Sequence, residues 1–270
     1  QERFLHTFCT SFGNVIVDTY YAPSEFAANV MKNSKYYVVK NLIPIGLYRS
    51  DYLSLYKKKN IPEEISKAKE NGKKILIALG NTTPDYWFES YPLVRISWSS
   101  HINFLEDIIR LSQNLKDTLV ILRYKSLDWT GNTHFKKILK KIDDCENIII
   151  SNNYKESFYS YKLCANADLV IAKHTSLADE CLSHEIPVLF YEYGHNHTQI
   201  TSDVFNYLSS ELMCHNFDEL LERSKSLLFN NSSKLKEEIA SLNKKIYHVK
   251  EKGNIKNKII KDLENLIHSA

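Results

Sequence analysis

Glycine is scarce in this sequence, which has seven glycines among 270 residues. The glycine signatures of nucleotide sites are missing, since neither a GxGxxG fingerprint nor the P-loop lysine motif occurs. The GxSxG turn that carries the nucleophile of many hydrolases is also missing. These absences argue against an NAD oxidoreductase, a P-loop kinase and an α/β hydrolase.

Patterns typical of metal sites are missing as well. The five cysteines are odd in number and form no CxxC pair, so neither a disulfide framework nor a zinc finger is predicted. HExxH and the paired-acid DxD pattern do not occur either. We therefore expect a site that uses no metal ion and no other cofactor, although histidines and a cysteine gather in one stretch: His174, Cys181, His184, His195 and His197.

Long apolar runs and a strong charge of one sign are also lacking. No run approaches the roughly 20 apolar residues that a membrane span needs. The net charge of +3 comes from 35 basic and 32 acidic residues, so nucleic acid is not a favoured partner. The cysteine content fits a reducing cytosol, and we expect a cytoplasmic protein. The lysine-rich end predicts surface helices and leaves open a peripheral contact with the inner face of a membrane.

Apolar strand patterns alternate with helical patterns from Ile75 to Tyr191. This alternation is typical of an α/β fold with a Rossmann-like parallel sheet and flanking crossover helices. Pro and Gly close together at Pro44 and Gly46 predict a connector. We therefore divide the chain into an N-terminal remnant or connector (1–48), a Rossmann-like domain (49–232) and basic C-terminal helices (233–270). The start at Gln-Glu-Arg, without a signal-peptide pattern, suggests a piece of a longer protein.

Polar residues follow four of the predicted strands, at the sheet edge where open α/β sheets bind ligands. These segments are 80–83 (GNTT), 123–126 (RYKS), 151–153 (SNN) and 173–176 (KHTS). Cations, hydroxyls and helix N–H groups together suit an anion, and phosphate is the natural choice. The alternative is that the segments are ordinary polar loops.

The stretch 167–196 predicts a strand, a polar turn, a short helix and a second strand in succession. Ser176 followed three residues later by Asp179 matches a helix-capping pattern, so Ser176 has a purely structural alternative as the N-cap. Glu180 follows one turn after Ser176 on the same side of the helix. A carboxylate there can accept hydrogen bonds from a ribose diol, and the alternative is a solvated surface acid.

At this point the sequence resembles a known group. The stretch ADLVIAKHTSLADECLSHEIPVLFYEY is similar to the C-terminal half of GT-B glycosyltransferases, with a strand, a Ser/Thr turn, a helix with Glu and a Pro-led strand. The segment 46–51 (GLYRSD) resembles the Gly-x-x-Arg-x-Asp segment of CDP-glycerol glycerophosphotransferases. The resemblance covers about residues 40–230 and implies two Rossmann-like domains facing a cleft, with the donor nucleotide on the C-terminal one.

The resemblance also implies roles for individual residues. Thr175 and Ser176 would meet the donor phosphate, Glu180 its ribose, and Arg123 with Lys125 the charge of the leaving group. The catalytic base would come from the N-terminal side, where His6 is the candidate. The full set expected to bind the donor is Gly80, Asn81, Arg123, Lys125, Asn152, His174, Thr175, Ser176 and Glu180.

Two departures from the family pattern stand out. Glu185 occupies a helix-ending position where relatives often have Gly, and a positive φ there would cost on the order of 1 kcal/mol. Only about 45 residues precede the connector, so the acceptor-side domain is expected to be incomplete or reduced.

The function predicted from the sequence is a metal-independent glycosyltransferase, or its donor-binding half, acting in synthesis of a cell-surface polysaccharide such as a capsule. Its partners would be a nucleotide-sugar donor and a saccharide or lipid-linked acceptor. Three alternatives remain open: transfer of a polyol phosphate from CDP-glycerol, sugar-nucleotide epimerisation, and a non-catalytic binding or scaffolding module.

Overall fold

The computed structural model describes residues 15–34, 37–57, 59–80, 98–153, 156–173, 175–192, 211–230, 233–250 and 254–269. The strands are β1 (Val15–Ala22), β2 (Tyr37–Pro44), β3 (Lys74–Leu79), β4 (Thr118–Arg123), β5 (Ile148–Ile150), β6 (Leu169–Ala172), β7 (Val188–Tyr191) and β8 (Met213–Cys214). The α-helices are α1 (Glu25–Lys32), α2 (Asp51–Tyr56), α3 (Glu63–Glu70), α4 (Trp98–Asn114), α5 (Lys136–Asp143), α6 (Tyr159–Ala165), α7 (Ser176–Ser183), α8 (Phe217–Leu228), α9 (Ser233–Lys245) and α10 (Ile255–Ser269).

Within the described ranges, six strands form one parallel sheet in the order β5-β4-β3-β6-β7-β8. The central strand β3 lies between β4 and β6, so that Ile77 faces Ile121 on one side and Val170 on the other. The chain steps outward from β3 to β5 and then returns to start β6 on the opposite side of β3. The α/β fold predicted from the alternating pattern is confirmed, and the strand order reverses between β3 and β6.

The strands read as unbroken apolar runs because helices cover both faces of the sheet. Residues 75–78 of β3 and 169–172 of β6 are fully buried. Helix α4 closes one face with Phe104, Ile108 and Leu111, which follow the helical spacing seen in the sequence and are also fully buried. This continuous core makes the carboxyl ends of the strands a rigid platform for loops.

Strands β1 and β2 form a separate, two-stranded parallel sheet, and α1 is the crossover helix between them. Ser24 caps α1, since its side chain accepts a hydrogen bond from the Ala27 N–H at 3.0 Å. Helix α10 returns to this unit, where the Tyr21 hydroxyl donates to the Asp262 carboxylate at 2.5 Å. The C-terminal helix therefore ties the two sheets together.

The connector between β2 and α2 contains the Gly-x-x-Arg-x-Asp segment. Gly46 has a φ of +103°, which favours glycine, and a side chain there would meet the Ile255 side chain at 3.1 Å. The Asp51 carboxylate accepts a hydrogen bond from the Ile255 N–H at 2.6 Å, at the start of α10. Two residues of the segment thus hold the start of the C-terminal helix, while the third, Arg49, is exposed with its guanidinium 5.0 Å from the centroid of the Tyr48 ring.

Candidate functional site

The strand order reverses between β3 and β6, and open α/β sheets bind their ligands beyond the carboxyl ends of the strands at such a reversal. Helix α7 begins there, and Thr175 is its N-cap because its hydroxyl accepts a hydrogen bond from the Leu177 N–H at 3.3 Å. The structural alternative that Ser176 caps the helix is wrong. Ser176 is the first helical residue and is exposed, and the next two N–H groups, of Leu177 and Ala178, both donate to Thr175.

The predicted capping acid, Asp179, has a different partner. Its carboxylate accepts a hydrogen bond from the Tyr247 hydroxyl at 2.5 Å, just beyond the end of α9. Asn243 of α9 also donates to the Ser183 carbonyl oxygen at the end of α7. These bonds hold α7 in place without using the side chain of Ser176.

Glu180 lies one turn into α7 and is only 4% exposed, so the alternative of a solvated surface acid is wrong. Its Oε2 atom is buried and has no hydrogen-bond partner within the described part of the chain. Burial raises the pKa of this carboxyl to about 7, while Tyr161 and the charge of Arg49 act in the opposite direction. A buried carboxylate oxygen without a donor is costly, which favours a ligand that brings hydroxyl groups.

Aromatic side chains of α2 and α6, with Phe158 just before α6, form a cluster. Tyr161 is buried, and burial together with Glu180 raises its pKa, so its hydroxyl stays protonated and can donate. Tyr52 stacks on Phe158 with ring centroids 3.9 Å apart and lies 5.8 Å from the Tyr161 ring. The Tyr161 ring thus packs within this aromatic cluster.

A buried ion pair lies at the ends of β6 and β7, next to the turn that starts α7. The Lys173 Nζ and the Glu192 Oε1 are 3.5 Å apart, and both side chains are almost fully buried. Burial lowers the pKa of Lys173, and Glu192 partly offsets this effect. The sequence predictions did not select Lys173, although it stands two residues before Thr175 in the segment singled out.

Arg123 ends β4 and is buried, with its guanidinium bonded toward β5 and α6. Its Nε donates to Ser160 Oγ at 2.9 Å, and its Nη1 donates to the Asn153 carbonyl oxygen at 3.0 Å and to Ser151 Oγ at 3.3 Å. Two strand spacings separate β4 from β6, which is roughly 10 Å. The structure therefore does not bring Arg123 together with Thr175, and its role toward a donor stays a prediction.

Lys125 and Asn152 are exposed beyond the ends of β4 and β5. Asn152 lines a pocket of about 550 Å³ whose walls are Glu64, Ile149, Ile150, Ser151, Asn152, Asn153 and Tyr159. The Tyr159 hydroxyl closes one side of the pocket by donating to the Glu64 carboxylate at 2.7 Å. Amide, hydroxyl and ring groups thus collect at this end of the sheet.

Gly80 directly follows β3, the strand beside which the strand order reverses. The close approach of the Tyr124 side chain explains why this residue is glycine. A Cβ atom there would lie 2.0 Å from ring atoms of Tyr124. The Tyr124 hydroxyl is 2.8 Å from His101 Nε2 in a buried aromatic cluster. Glycine at position 80 therefore leaves the space that the Tyr124 ring occupies.

His6, Asn81 and His174 lie outside the described residues. Within the described ranges, no group of three or more His, Cys, Asp or Glu side chains is arranged to hold a metal ion. Among the described helices, none combines the length and apolar character needed to cross a membrane.

The six-stranded parallel sheet, its flanking helices and its strand-order reversal define a fold of the GT-B type, and comparison with solved structures supports this at the level of the fold. S. aureus MnaA in complex with UDP matches with a TM-score of 0.57 and 11% identity, over 93% of this chain and 61% of that one. The UDP-GlcNAc 2-epimerase from Neisseria meningitidis bound to UDP-GlcNAc matches with a TM-score of 0.55 and 14% identity, over 92% of this chain and 61% of that one.

The wall teichoic acid polymerase TagF matches with a TM-score of 0.53 and 16% identity, over 93% of this chain and 57% of that one. The chain thus spans about three fifths of the length of these solved structures. The resemblance to GT-B enzymes predicted from the sequence is confirmed for the fold. No family model matches the chain, and no curated protein matches it by sequence.

Proposed function

We propose that this chain binds a nucleotide-activated donor and acts as a metal-independent glycosyltransferase, or as its donor-binding half, in synthesis of a cell-surface polysaccharide. The observation that carries the proposal is the buried Glu180 carboxyl, one turn into a helix that starts at the strand-order reversal. Its unpartnered oxygen is suited to a neutral ligand group with O–H donors, and a ribose diol is such a group.

The turn before α7 suits the diphosphate of the same donor. The Ser176 N–H and the exposed Ser176 hydroxyl can donate to phosphate oxygens, and the helix dipole favours negative charge there. Lys173 adds a cation next to this turn and would help to stabilise the charge that develops on the departing nucleotide diphosphate. Arg123 and Lys125 remain proposed contributors from the other side of β3, and His6 remains the proposed base for the acceptor.

We also propose a peripheral contact with the inner face of a membrane, where a lipid-linked acceptor would be found. Ile260, Leu263 and Ile267 form an exposed apolar stripe on α10 with helical spacing, and Lys256 and Lys261 flank it. Sedimentation with anionic vesicles should pull down the protein, and neutral vesicles should not. Equal recovery with both kinds of vesicle would contradict the contribution of the lysines.

A nucleotide panel tests the main proposal. Isothermal titration with UDP-, CDP-, GDP- and CMP-linked donors should give saturable binding of one class. Glu180→Gln should weaken it about 10- to 100-fold, the worth of a hydrogen bond to a charged group. Glu222→Gln, which changes an exposed acid on α8, is the matched control and should change nothing. Binding of none of these donors by the folded chain would refute the proposal.

Two other activities fit the same site, because the solved structures that match include 2-epimerases and the polymerase TagF. Mass spectrometry of products separates the three: a glycosyl adduct, a glycerol-phosphate adduct, or an isomerised sugar nucleotide formed without acceptor. A non-catalytic module would bind without turnover. If it used another surface, Thr175→Ala and Glu180→Ala would leave its function unchanged.

A further inference from the structure

Helix α9 belongs to the lysine-rich end of the sequence, yet one of its faces is part of the protein core. Leu235, Ile239 and Leu242 recur at helical spacing and are buried in the main hydrophobic cluster. Asn243 lies four residues after Ile239, on the same face, and is only 4% exposed. The helix is therefore firmly anchored, and its buried side-chain amide needs hydrogen-bond partners.

Asn243 has such partners at the end of α7. Its side-chain amide donates to the carbonyl oxygen of Leu182 at 3.1 Å and to that of Ser183 at 2.6 Å. The last carbonyl groups of a helix have no N–H partner within the helix, and this amide supplies donors to two of them. The Ser183 hydroxyl in turn donates to the Glu180 carbonyl oxygen at 2.6 Å. Helix α9 thus binds the carboxyl end of the helix that carries Glu180.

Tyr247, just beyond the end of α9, contacts the same helix one turn earlier. Its side chain is buried, and its hydroxyl donates to Asp179 Oδ1 at 2.5 Å. Hydrogen bonds to a carboxylate are shorter and stronger than those between neutral groups. Four residues separate Asp179 from Ser183, so the two contacts lie roughly 6 Å apart along the helix axis. Two points of attachment fix the position of α7 and also its rotation about its own axis.

The rotation of α7 decides the direction of the Glu180 side chain. Asp179 and Glu180 are consecutive, and consecutive side chains leave a helix about 100° apart. The bond from Tyr247 to Asp179 therefore also determines where the Glu180 carboxyl lies in the interior. A group that binds a ligand must be held within about 0.5 Å of its productive position. The buried Oε2 atom of Glu180, which has no hydrogen-bond partner in the described part of the chain, is such a group under the proposed function.

We infer that Asn243 and Tyr247 are positioning residues of the donor site, which hold α7 so that Glu180 and the turn before the helix meet the donor in one fixed arrangement. This inference rests on the function proposed above. Neither residue touches the donor, since both act through α7. The segment 233–250 is then part of the framework of the donor site.

Tyr247→Phe is the main test, because it removes one hydroxyl and keeps the buried ring. Isothermal titration uses whichever of the UDP-, CDP-, GDP- and CMP-linked donors binds the unaltered chain. Binding should be about two- to tenfold weaker, since the donor must then hold α7 without the support of one hydrogen bond. Asn243→Ala, which removes two bonds, should weaken binding at least as much.

Two matched controls separate positioning from a general loss of stability. Tyr21→Phe breaks a Tyr–Asp bond of the same length, 2.5 Å, between β1 and α10. Asn147 precedes β5, at the sheet edge opposite the donor site, and its amide donates to three main-chain carbonyl oxygens. Tyr21→Phe and Asn147→Ala should lower the urea midpoint and leave donor affinity unchanged. Equal weakening of donor binding by the controls and the test variants would overturn the inference.

A double-mutant cycle tests whether Tyr247 acts through Asp179. With Asp179→Ala in place, the Tyr247 hydroxyl has lost its acceptor at position 179, so Tyr247→Phe should change donor affinity no further. An undiminished effect of Tyr247→Phe in that background would contradict the inference.

Hydrogen exchange gives a readout that needs no nucleotide. In Tyr247→Phe the amides of α7 should exchange about two- to tenfold faster through local opening, and in Tyr21→Phe they should keep their original rates. Unchanged exchange of α7 in Tyr247→Phe would overturn the inference, even if nucleotides bind. Faster exchange in a chain that binds none of the donors would refute the proposed function, while the support of α7 by α9 would stand. Faster exchange together with weaker binding supports the whole inference.

Discussion

Glu180→Gln should make the protein more stable at neutral pH while it weakens nucleotide binding. The folded-state pKa of Glu180 is raised to about 7 from an ordinary value of 4.5, mainly by burial. Below pH 4.5 the carboxyl is protonated in both the folded and the unfolded chain, so its ionisation does not lower the free energy of unfolding. Between pH 4.5 and 7 the unfolded chain loses this proton while the folded chain keeps it, so stability falls as the pH rises. Above pH 7 the carboxyl is ionised in both states, and the free energy of unfolding is lowered by the full cost of the buried charge.

The size of the penalty follows from the two pKa values. Each tenfold change in acid strength corresponds to about 1.4 kcal/mol, so the interval from 4.5 to about 7 is worth about 3 kcal/mol, to order of magnitude. Glutamine keeps the shape and removes the charge. For a domain of this size, about 3 kcal/mol corresponds to roughly 6–12 °C in Tm.

Thermal melts of both proteins at pH 4, 5, 6, 7 and 8 measure the effect. The quantity to compare is the difference in Tm at each pH, because His101 and the surface groups titrate equally in both proteins and cancel. The difference should grow from about pH 4.5 to 7 and then stay level. A difference that is constant with pH would refute the reasoning, since it would mean that Glu180 is not held in a protonation-sensitive environment.

Three further predictions concern positions away from the ligand. Gly80→Ala should destabilise the protein by about 2–5 kcal/mol, because its Cβ overlaps the Tyr124 ring and threatens a buried hydrogen bond, while Gly131→Ala, with open space around it, should be near neutral in urea denaturation. Glu185→Gly should stabilise by about 1 kcal/mol, since Glu185 has a φ of +59°; an unchanged or lower urea midpoint would contradict this. Burial lowers the pKa of His101 to about 4, so its contribution to stability is complete above pH 6.5 and is lost as the pH falls toward 4. His101→Phe should abolish this part of the loss of stability in acid. An equally steep loss of stability in both proteins would contradict the prediction.

The helix-ending residue Glu185 shows what a sequence pattern can and cannot decide. The comparison with Gly at that position predicted a cost only if the backbone needs a positive φ, and the structure shows that it does. The capping residue of α7 was less accessible to sequence reasoning. Thr175 and Ser176 are adjacent and both suit an N-cap, and only the extended backbone of Thr175 decides between them.

Arg123 shows what depends on the order of strands in the sheet. It stands in a polar segment after a strand, but the order of strands along the chain does not give their order in the sheet. The sheet places β4 on the far side of β3 from β6, and the Arg123 side chain bonds Ser160.

The sequence by itself determined the α/β class, the parallel sheet and the helix that starts after β6, because burial on both faces of the sheet forces unbroken apolar strands and periodic helices between them. It also determined that a Thr-Ser turn precedes a Glu by one helical turn. Only the tertiary structure decided that Glu180 is buried with an oxygen that has no hydrogen-bond partner in the described part of the chain. Burial and the approach of distant side chains depend on how α2, α6 and α7 pack together, and no local pattern of residues encodes that arrangement.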